Sequence, residues 1–402
     1  MTRTAWHLRV GAVVAGWLLA AVLAGLRGLI ADVDPWLPVH LLLLGAVSNA
    51  ILVWSSFFAE ALLRLPDRGD RRPEASRLVL FNGGAVTVVA GMTADQWAVV
   101  VVGAVLAAAA AVWHGTDLLR RMRRSLPSRF GATVRYYVVA SAMLPLGVAL
   151  GVVMAHADLD DEQHARVVLA HVALNVLGWI GLTVLGTVVT LWPTMLHTQV
   201  ADGAERAARR ALPVLAVAVL VLATGALVGS TAVAVAGLLG YVAGLVLNGR
   251  ALAQEARRRP PRTYATLSVA AAYLWLTATV LALAVVVATA GSWARAAELA
   301  DRLGAPLLVG FAAQLLVGAL SHLVPVVLGG GPTAARATGG VLDTAARSRV
   351  VVVNVGVLVA VCPVPDAVRN VVSAVVLLTL ASFLPLAVRA VVVARRLAAG
   401  RA

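Results

Sequence analysis

The chain has 402 residues, 61% of them hydrophobic, and a mean hydropathy of +0.90. Nearly all of this length is needed for membrane-spanning helices, so no separate soluble domain of about fifty residues fits outside them. The net charge of +14 comes from arginines beside the apolar segments. It therefore favours a lipid bilayer and not nucleic acid as the partner. Cys362 is the single cysteine, which excludes an intrachain disulfide or a thiolate cluster.

Apolar segments of about twenty residues, the length that a helix needs to cross the hydrocarbon core, follow one another along the chain. They predict an all-α polytopic transmembrane helix bundle of about twelve spans in one integral membrane domain, residues 1-402. The spans, numbered one to twelve, are expected near 10-30, 37-60, 76-93, 96-118, 133-156, 164-190, 209-228, 231-250, 264-290, 304-328, 349-363 and 368-394.

The arginines predict the orientation of the bundle. They are concentrated in the connections that follow even-numbered spans, such as Arg71 after span two and Arg121 after span four, whereas the other connections are short or acidic. Positive charge stays on the cytoplasmic side, so both termini are predicted to be cytoplasmic. Arginine supplies all the positive charge and lysine is absent, a bias typical of G+C-rich bacteria. The bacterial plasma membrane is therefore the expected location.

Histidines in the outer part of the membrane are the main candidates for a site. Acidic residues are close to absent from the middles of the spans, which weighs against proton-coupled transport or an acidic relay. Imidazole is a common ligand of haem iron and copper, and His40 in span two and His171 in span six are predicted at similar outer depths. Asn175 follows His171 at i+4 on the same helix face. Its amide is a candidate partner for the second ring nitrogen.

Each of these residues also has a purely structural interpretation. Both histidines can simply hydrogen-bond across helices, as buried polar residues in bundles do. At the cytoplasmic ends of spans, His322, His114 and His197 predict either a second metal site or interfacial packing. Gly329 to Pro332 predicts a cytoplasmic turn after span ten. The sequence shows no tandem repeat of fixed period.

The segments His40–Gly45 and His171–Trp179, with twelve spans and cytoplasmic termini, resemble the catalytic subunit of haem–copper oxidases and nitric oxide reductases. They also resemble NnrS-type haem- and copper-containing membrane proteins. Two further segments, Leu182–Leu196 and Ser321–Pro332, are similar to membrane modules of actinobacterial copper-oxidase-like proteins. In that superfamily the second helix supplies a haem ligand and the sixth a copper ligand, both toward the outer face.

The resemblance implies a b-type haem, copper or both, with His40, His171, Asn175 and Gln314 around the cofactor and His40, His171 and His322 as metal ligands. It also implies an electron donor or cupredoxin-type redox protein at the outer face, in respiratory or nitrogen-oxide chemistry. The chain departs from the family pattern because span seven lacks paired histidines. Ala173 stands where a second histidine would extend the motif, and Gln314 stands where span ten would carry one. An incomplete catalytic centre is therefore expected, and oxidoreductase activity stays open.

Two alternatives remain open from the sequence. The first is a twelve-span secondary transporter, because the segment Asp67–Arg72 after span two resembles an acidic-basic motif of major-facilitator carriers. The second is a non-catalytic membrane partner of a separate cupredoxin-type oxidase.

Overall fold

The computed structural model describes residues 3–65, 69–126 and 128–399, and these form helices joined by turns, with no strand among them. The elements are α1 (Arg3–Gly28), α2 (Trp36–His40), π1 (Leu41–Val47), α3 (Ser48–Leu62), α4 (Arg72–Thr93), α5 (Trp97–Arg124), α6 (Gly131–Met154), α7 (Asp161–Val172), π2 (Ala173–Gly181), α8 (Leu182–Met195), α9 (Ala204–Leu227), α10 (Thr231–Arg258), α11 (Tyr264–Thr289), α12 (Trp293–Asp301), π3 (Pro306–Ala313), α13 (Gln314–Leu328), α14 (Gly331–Leu342), α15 (Ala346–Val361), α16 (Asp366–Ala381) and α17 (Phe383–Ala399).

The prediction of an all-α polytopic bundle is confirmed. In the described part of the chain, eleven helices are long and apolar enough to cross a membrane, and the pair α14 and α15, bent by 41°, makes twelve if it forms one span. The predicted turn after span ten is shorter than expected, because helix α14 follows directly at Gly331. Gly329 and Gly330 adopt positive φ values of 68° and 84° there, a conformation that suits glycine.

The helices are divided between two compact units. Unit one contains the described residues of Met1–Ala50, Pro260–Thr279 and Arg302–Ala402, and unit two contains those of Ile51–Arg259 and Val280–Asp301. Within unit one, π1 packs against α1 and π3, and α14 packs against α17. Within unit two, α4 packs on α5, α9 packs on α10, and α6 packs on π2.

Three π-helical segments interrupt the second, sixth and tenth predicted spans. In a π-helix each N–H bonds the carbonyl five residues back, so the α-helical pairing is shifted and a side-chain donor can take a displaced carbonyl. An amide does so near each segment. Asn49 donates to the Gly45 carbonyl at 2.8 Å, Asn175 to the His171 carbonyl at 3.0 Å, and Gln314 to the Gly310 carbonyl at 3.3 Å.

The π segments reveal an internal recurrence that the sequence analysis missed. Each contains a glycine that lies against a large side chain of the preceding long helix. A Cβ atom would lie 2.4 Å from Trp17 at Gly45, 2.9 Å from Met143 at Gly178 and 2.7 Å from Trp275 at Gly310. The three glycines are 133 and 132 residues apart along the chain. The π segments therefore recur at a nearly constant interval in the structure, although the residues between the glycines differ and form no tandem sequence repeat.

Candidate functional site

His40 stands at the junction of α2 and π1. The Asp34 carboxylate begins α2 by accepting the Trp36 N–H at 2.8 Å, as an acidic residue does at a helix N-terminus. The half-buried His40 ring stacks on Trp36 with centroids 4.1 Å apart, and its Nδ1 lies 2.8 Å from the Trp36 carbonyl oxygen. Because a carbonyl only accepts, Nδ1 carries the proton in this bond. In the neutral ring Nε2 is therefore the nitrogen with the lone pair.

His171 lies near the end of α7, just before π2. Helix α7 begins at the Asp160 cap, whose side chain accepts the Gln163 N–H at 2.8 Å. The His171 Nδ1 lies 2.8 Å from the Gly147 carbonyl of α6. One turn further along α6, Gly151 makes room for the ring, since a Cβ atom there would lie 3.1 Å from Cε1. The α6 backbone thus orients the imidazole, and Nε2 again carries the lone pair.

Asn175 lies beside His171, as the i+4 spacing predicts. Its amide nitrogen lies 3.3 Å from His171 Nδ1 and donates to the His171 carbonyl at 3.0 Å. The acceptor for the Nδ1 proton is the Gly147 carbonyl, because an amide N–H is itself a donor. The Asn175 Oδ1 atom is buried and accepts no hydrogen bond from any described residue.

Gln314 joins three helices of unit one through a chain of amide hydrogen bonds. Trp275 of α11 donates to Asn354 of α15 at 2.6 Å, and Asn354 donates to the Gln314 Oε1 at 2.9 Å. Both ends of the Gln314 amide are therefore engaged, and its side chain is buried. His322 lies about two turns further along α13 and is half-buried.

The predicted site residues fall in different units. His40, Gln314 and His322 belong to unit one, and His171 and Asn175 belong to unit two. The common outer layer of His40 and His171 therefore stays a prediction. Within the described ranges, no three His, Cys, Asp or Glu side chains form a group that could hold a metal ion.

A buried group of charges in unit two was not foreseen. We call it the charge cluster, and it consists of Glu60, Arg71, Glu74, Arg77, Asp117 and Arg121. Arg121 is at its centre, with 3% exposure. Its guanidinium lies 2.7 Å from the Asp117 carboxylate, 3.1 Å from that of Glu60 and 3.4 Å from that of Glu74. One arginine thus connects α3, α4 and its own helix α5.

The other two arginines complete the charge cluster. Arg71 lies 3.2 Å from Glu60 and 3.1 Å from Glu74. Arg77 lies 3.5 Å from Asp117, and its Nη2 donates to Ser56 at 2.9 Å. Three carboxylates face three guanidinium groups, so formal charges balance inside the cluster. Buried charges need such pairing, because removing them from water is costly.

His114 of α5 lies deeper than Asp117 and Arg121 on the same helix. It has no exposed surface, and its Nε2 lies 2.8 Å from the Ser55 hydroxyl of α3. The interfacial packing considered for His114 is thus replaced by full burial between helices.

The signals for this cluster were present in the sequence but had a second explanation. Arg71 and Arg121 follow even-numbered spans, a position that by itself predicts topology-determining charges near the headgroups. Asp117 and Arg121 are spaced i,i+4 on one helix face, and Arg77 lies inside span three. A charged residue inside a span usually faces a partner in the bundle, and that rule would have identified Arg77.

The fold and these sites define a multi-pass α-helical membrane protein with polar groups buried between its helices. No protein-family model and no curated protein matches the chain.

Proposed function

We propose that this protein binds a b-type haem in the bacterial plasma membrane, with His40 in unit one and His171 in unit two each a candidate axial ligand, and acts in respiratory or nitrogen-oxide redox chemistry. The observation that carries the proposal is the arrangement shared by the two rings. In each, Nδ1 donates to a backbone carbonyl at 2.8 Å. A ligand histidine normally has its other ring N–H held in this way, which fixes the ring and directs Nε2 at the metal.

The π segments give further support. His40 directly precedes π1, and His171 precedes π2 by two residues. Isolated π turns inside α-helices are frequent at functional sites. An ordinary structural histidine needs no such interruption beside it, so the coincidence in two spans favours a site.

The chemistry of the donors favours haem over copper. A porphyrin supplies four nitrogen ligands itself, so a haem needs only one or two axial imidazoles from the protein. A copper site of the oxidases that the sequence resembles requires several histidines together, and no group of three metal-ligating side chains occurs among the described residues. The haem would supply one-electron redox chemistry, while the residues named here would bind and orient it.

A visible spectrum of the purified protein tests the proposal. We expect a Soret band that is lost in His40→Ala and weakened in His171→Ala. His164→Ala is the matched control, because His164 lies on the same helix as His171 but is exposed, and it should leave the band unchanged. A protein without haem under any expression condition, or a band unchanged in both test variants, would refute the assignment.

The charge cluster favours a second candidate, a twelve-span secondary transporter. Arg71, from the segment that resembles the carrier motif, pairs with Glu60 and Glu74, whereas Asp67 and Arg68 of that segment lie outside the described residues. Ion pairs between helix ends can break and re-form when helices move during transport. Substrate-stimulated flux in liposomes by protein that contains no chromophore would favour this candidate over the first.

A further inference from the structure

The Tyr241 side chain of α10 contacts π2 at its last turn. The phenol has no exposed surface, and its hydroxyl donates to the Leu177 carbonyl at 3.1 Å. In an α-helix that carbonyl would accept the N–H of Gly181, four residues further on. In a π-helix the N–H of Gly181 bonds one residue further back. The hydroxyl therefore occupies the position that the α-helical bond would need.

Gly181 is what allows the hydroxyl to come so close. A Cβ atom at this position would lie 2.4 Å from the Tyr241 oxygen, which real Cβ atoms do not tolerate. The N–H of Leu182 is shared between the Gly178 carbonyl, four residues back, and the Leu177 carbonyl, five residues back. The Leu177 carbonyl therefore accepts a π-type bond as well as the bond from the phenol. The contact thus stabilises the π-helical pairing against the α-helical one.

The pairing in π2 decides which way His171 points. Each residue turns an α-helix by about 100°, so conversion of π2 to an α-helix would rotate α7 relative to α8 by an angle of that order. The His171 Nδ1 would then leave the Gly147 carbonyl, and the ring would leave the space beside Gly151. We infer that Tyr241 is a positioning residue for His171 and acts through π2. The inference concerns the direction of the ring and goes beyond haem binding.

Tyr241→Phe tests the inference, and the chain offers a matched control. Tyr136 is also fully buried, and its hydroxyl donates to a backbone carbonyl of another helix, that of Ala208, at 2.8 Å. Ala208 lies inside the regular helix α9, so Tyr136→Phe loses the same kind of bond away from any π segment. The two variants therefore separate a general loss of stability from a change in π2.

The measurement is nitrogen NMR of histidine-labelled protein without haem, with the His171 signals identified by their absence in His171→Gln. We expect a proton on Nδ1 in the unsubstituted protein. The Nδ1 signal should shift or split in Tyr241→Phe and remain in place in Tyr136→Phe. Gly181→Ala, which displaces the same hydroxyl by steric clash, should reproduce the shift. Unchanged His171 signals in both π2 variants, or an equal shift in Tyr136→Phe, would overturn the inference.

A measurement on bound haem separates this inference from the proposed function. Only that measurement rests on the proposed function; the nitrogen NMR of the haem-free protein does not. If the protein binds haem through His171, Tyr241→Phe should also change the electron paramagnetic resonance of the oxidised iron. A nitrogen shift in a protein that never binds haem would support the positioning role and refute haem binding. Haem binding that depends on His171, together with nitrogen signals that do not move in Tyr241→Phe, would support haem binding and refute the positioning role of Tyr241.

Discussion

The Ser55 hydroxyl accepts the Nε2 proton of His114. Its own proton goes to the Ile51 carbonyl at 2.6 Å, so the bond of 2.8 Å to the imidazole requires a proton on Nε2, since a hydroxyl has one hydrogen to donate. His114 is therefore held with its lone pair on Nδ1, the opposite of the arrangement at His40 and His171. The direction of a single hydroxyl decides which nitrogen can act as an acceptor.

We expect Ser55→Ala to lower the free energy of unfolding by about 1–3 kcal/mol, the usual cost of leaving a buried donor without a partner. Ser141→Ala is the control, because Ser141 is equally buried but its hydroxyl donates only to the Tyr137 carbonyl of its own helix. Denaturant unfolding in detergent measures both. Equal losses in the two variants would contradict the bond to His114.

We expect Arg121→Met to destabilise the protein by about 3–5 kcal/mol, because it leaves the buried Glu60 and Glu74 and the partly buried Asp117 with one guanidinium too few. Arg124→Met changes an exposed arginine of the same helix and should have little effect. The fraction of protein that stays monodisperse on heating compares them. If Arg124→Met were as damaging as Arg121→Met, the cluster would have no special contribution.

The predicted orientation places Asp160 and Arg259 on opposite sides of the membrane. Asp160 precedes α7, and Arg259 follows α10, so three membrane crossings separate them along the chain. Reporter fusions that are active only on one side should give opposite results at the two positions, with Arg259 cytoplasmic because of the adjacent arginines. The same result at both positions would show that the orientation and the predicted depths of the histidines are wrong.

We expect at most one haem per chain. Span seven contributes no histidine pair, and Gln314 is a neutral amide already bonded to Asn354 and Gly310, so it is a poor substitute for an imidazole ligand. Haem extraction and quantification against protein concentration measures the ratio. Two haems with stoichiometric copper and robust oxidase turnover would show that ligands have been missed.

The charge cluster and the π segments illustrate what could not be obtained from the sequence. The sequence around Arg121 is compatible with a position in the headgroup layer or with burial between helices. Only the packing of Glu60 and Glu74 from other helices against Arg121 selects burial. A π turn has no characteristic amino-acid composition, because its cost in free energy is offset by contacts with residues on other helices, such as Tyr241 of α10. Sequence patterns describe one helix at a time, and these features need two or more.

By itself the sequence determined the approximate number and bounds of the spans, because each must supply enough apolar length to cross the bilayer. It also identified His40, His171 and Asn175 as polar residues that a membrane helix does not carry without a partner. Only the tertiary structure decided who the partners are. The Gly147 carbonyl, not Asn175, receives the Nδ1 proton of His171, because glycines on α6 let the two backbones approach. That approach depends on how helices pack, which the order of residues along one helix does not determine.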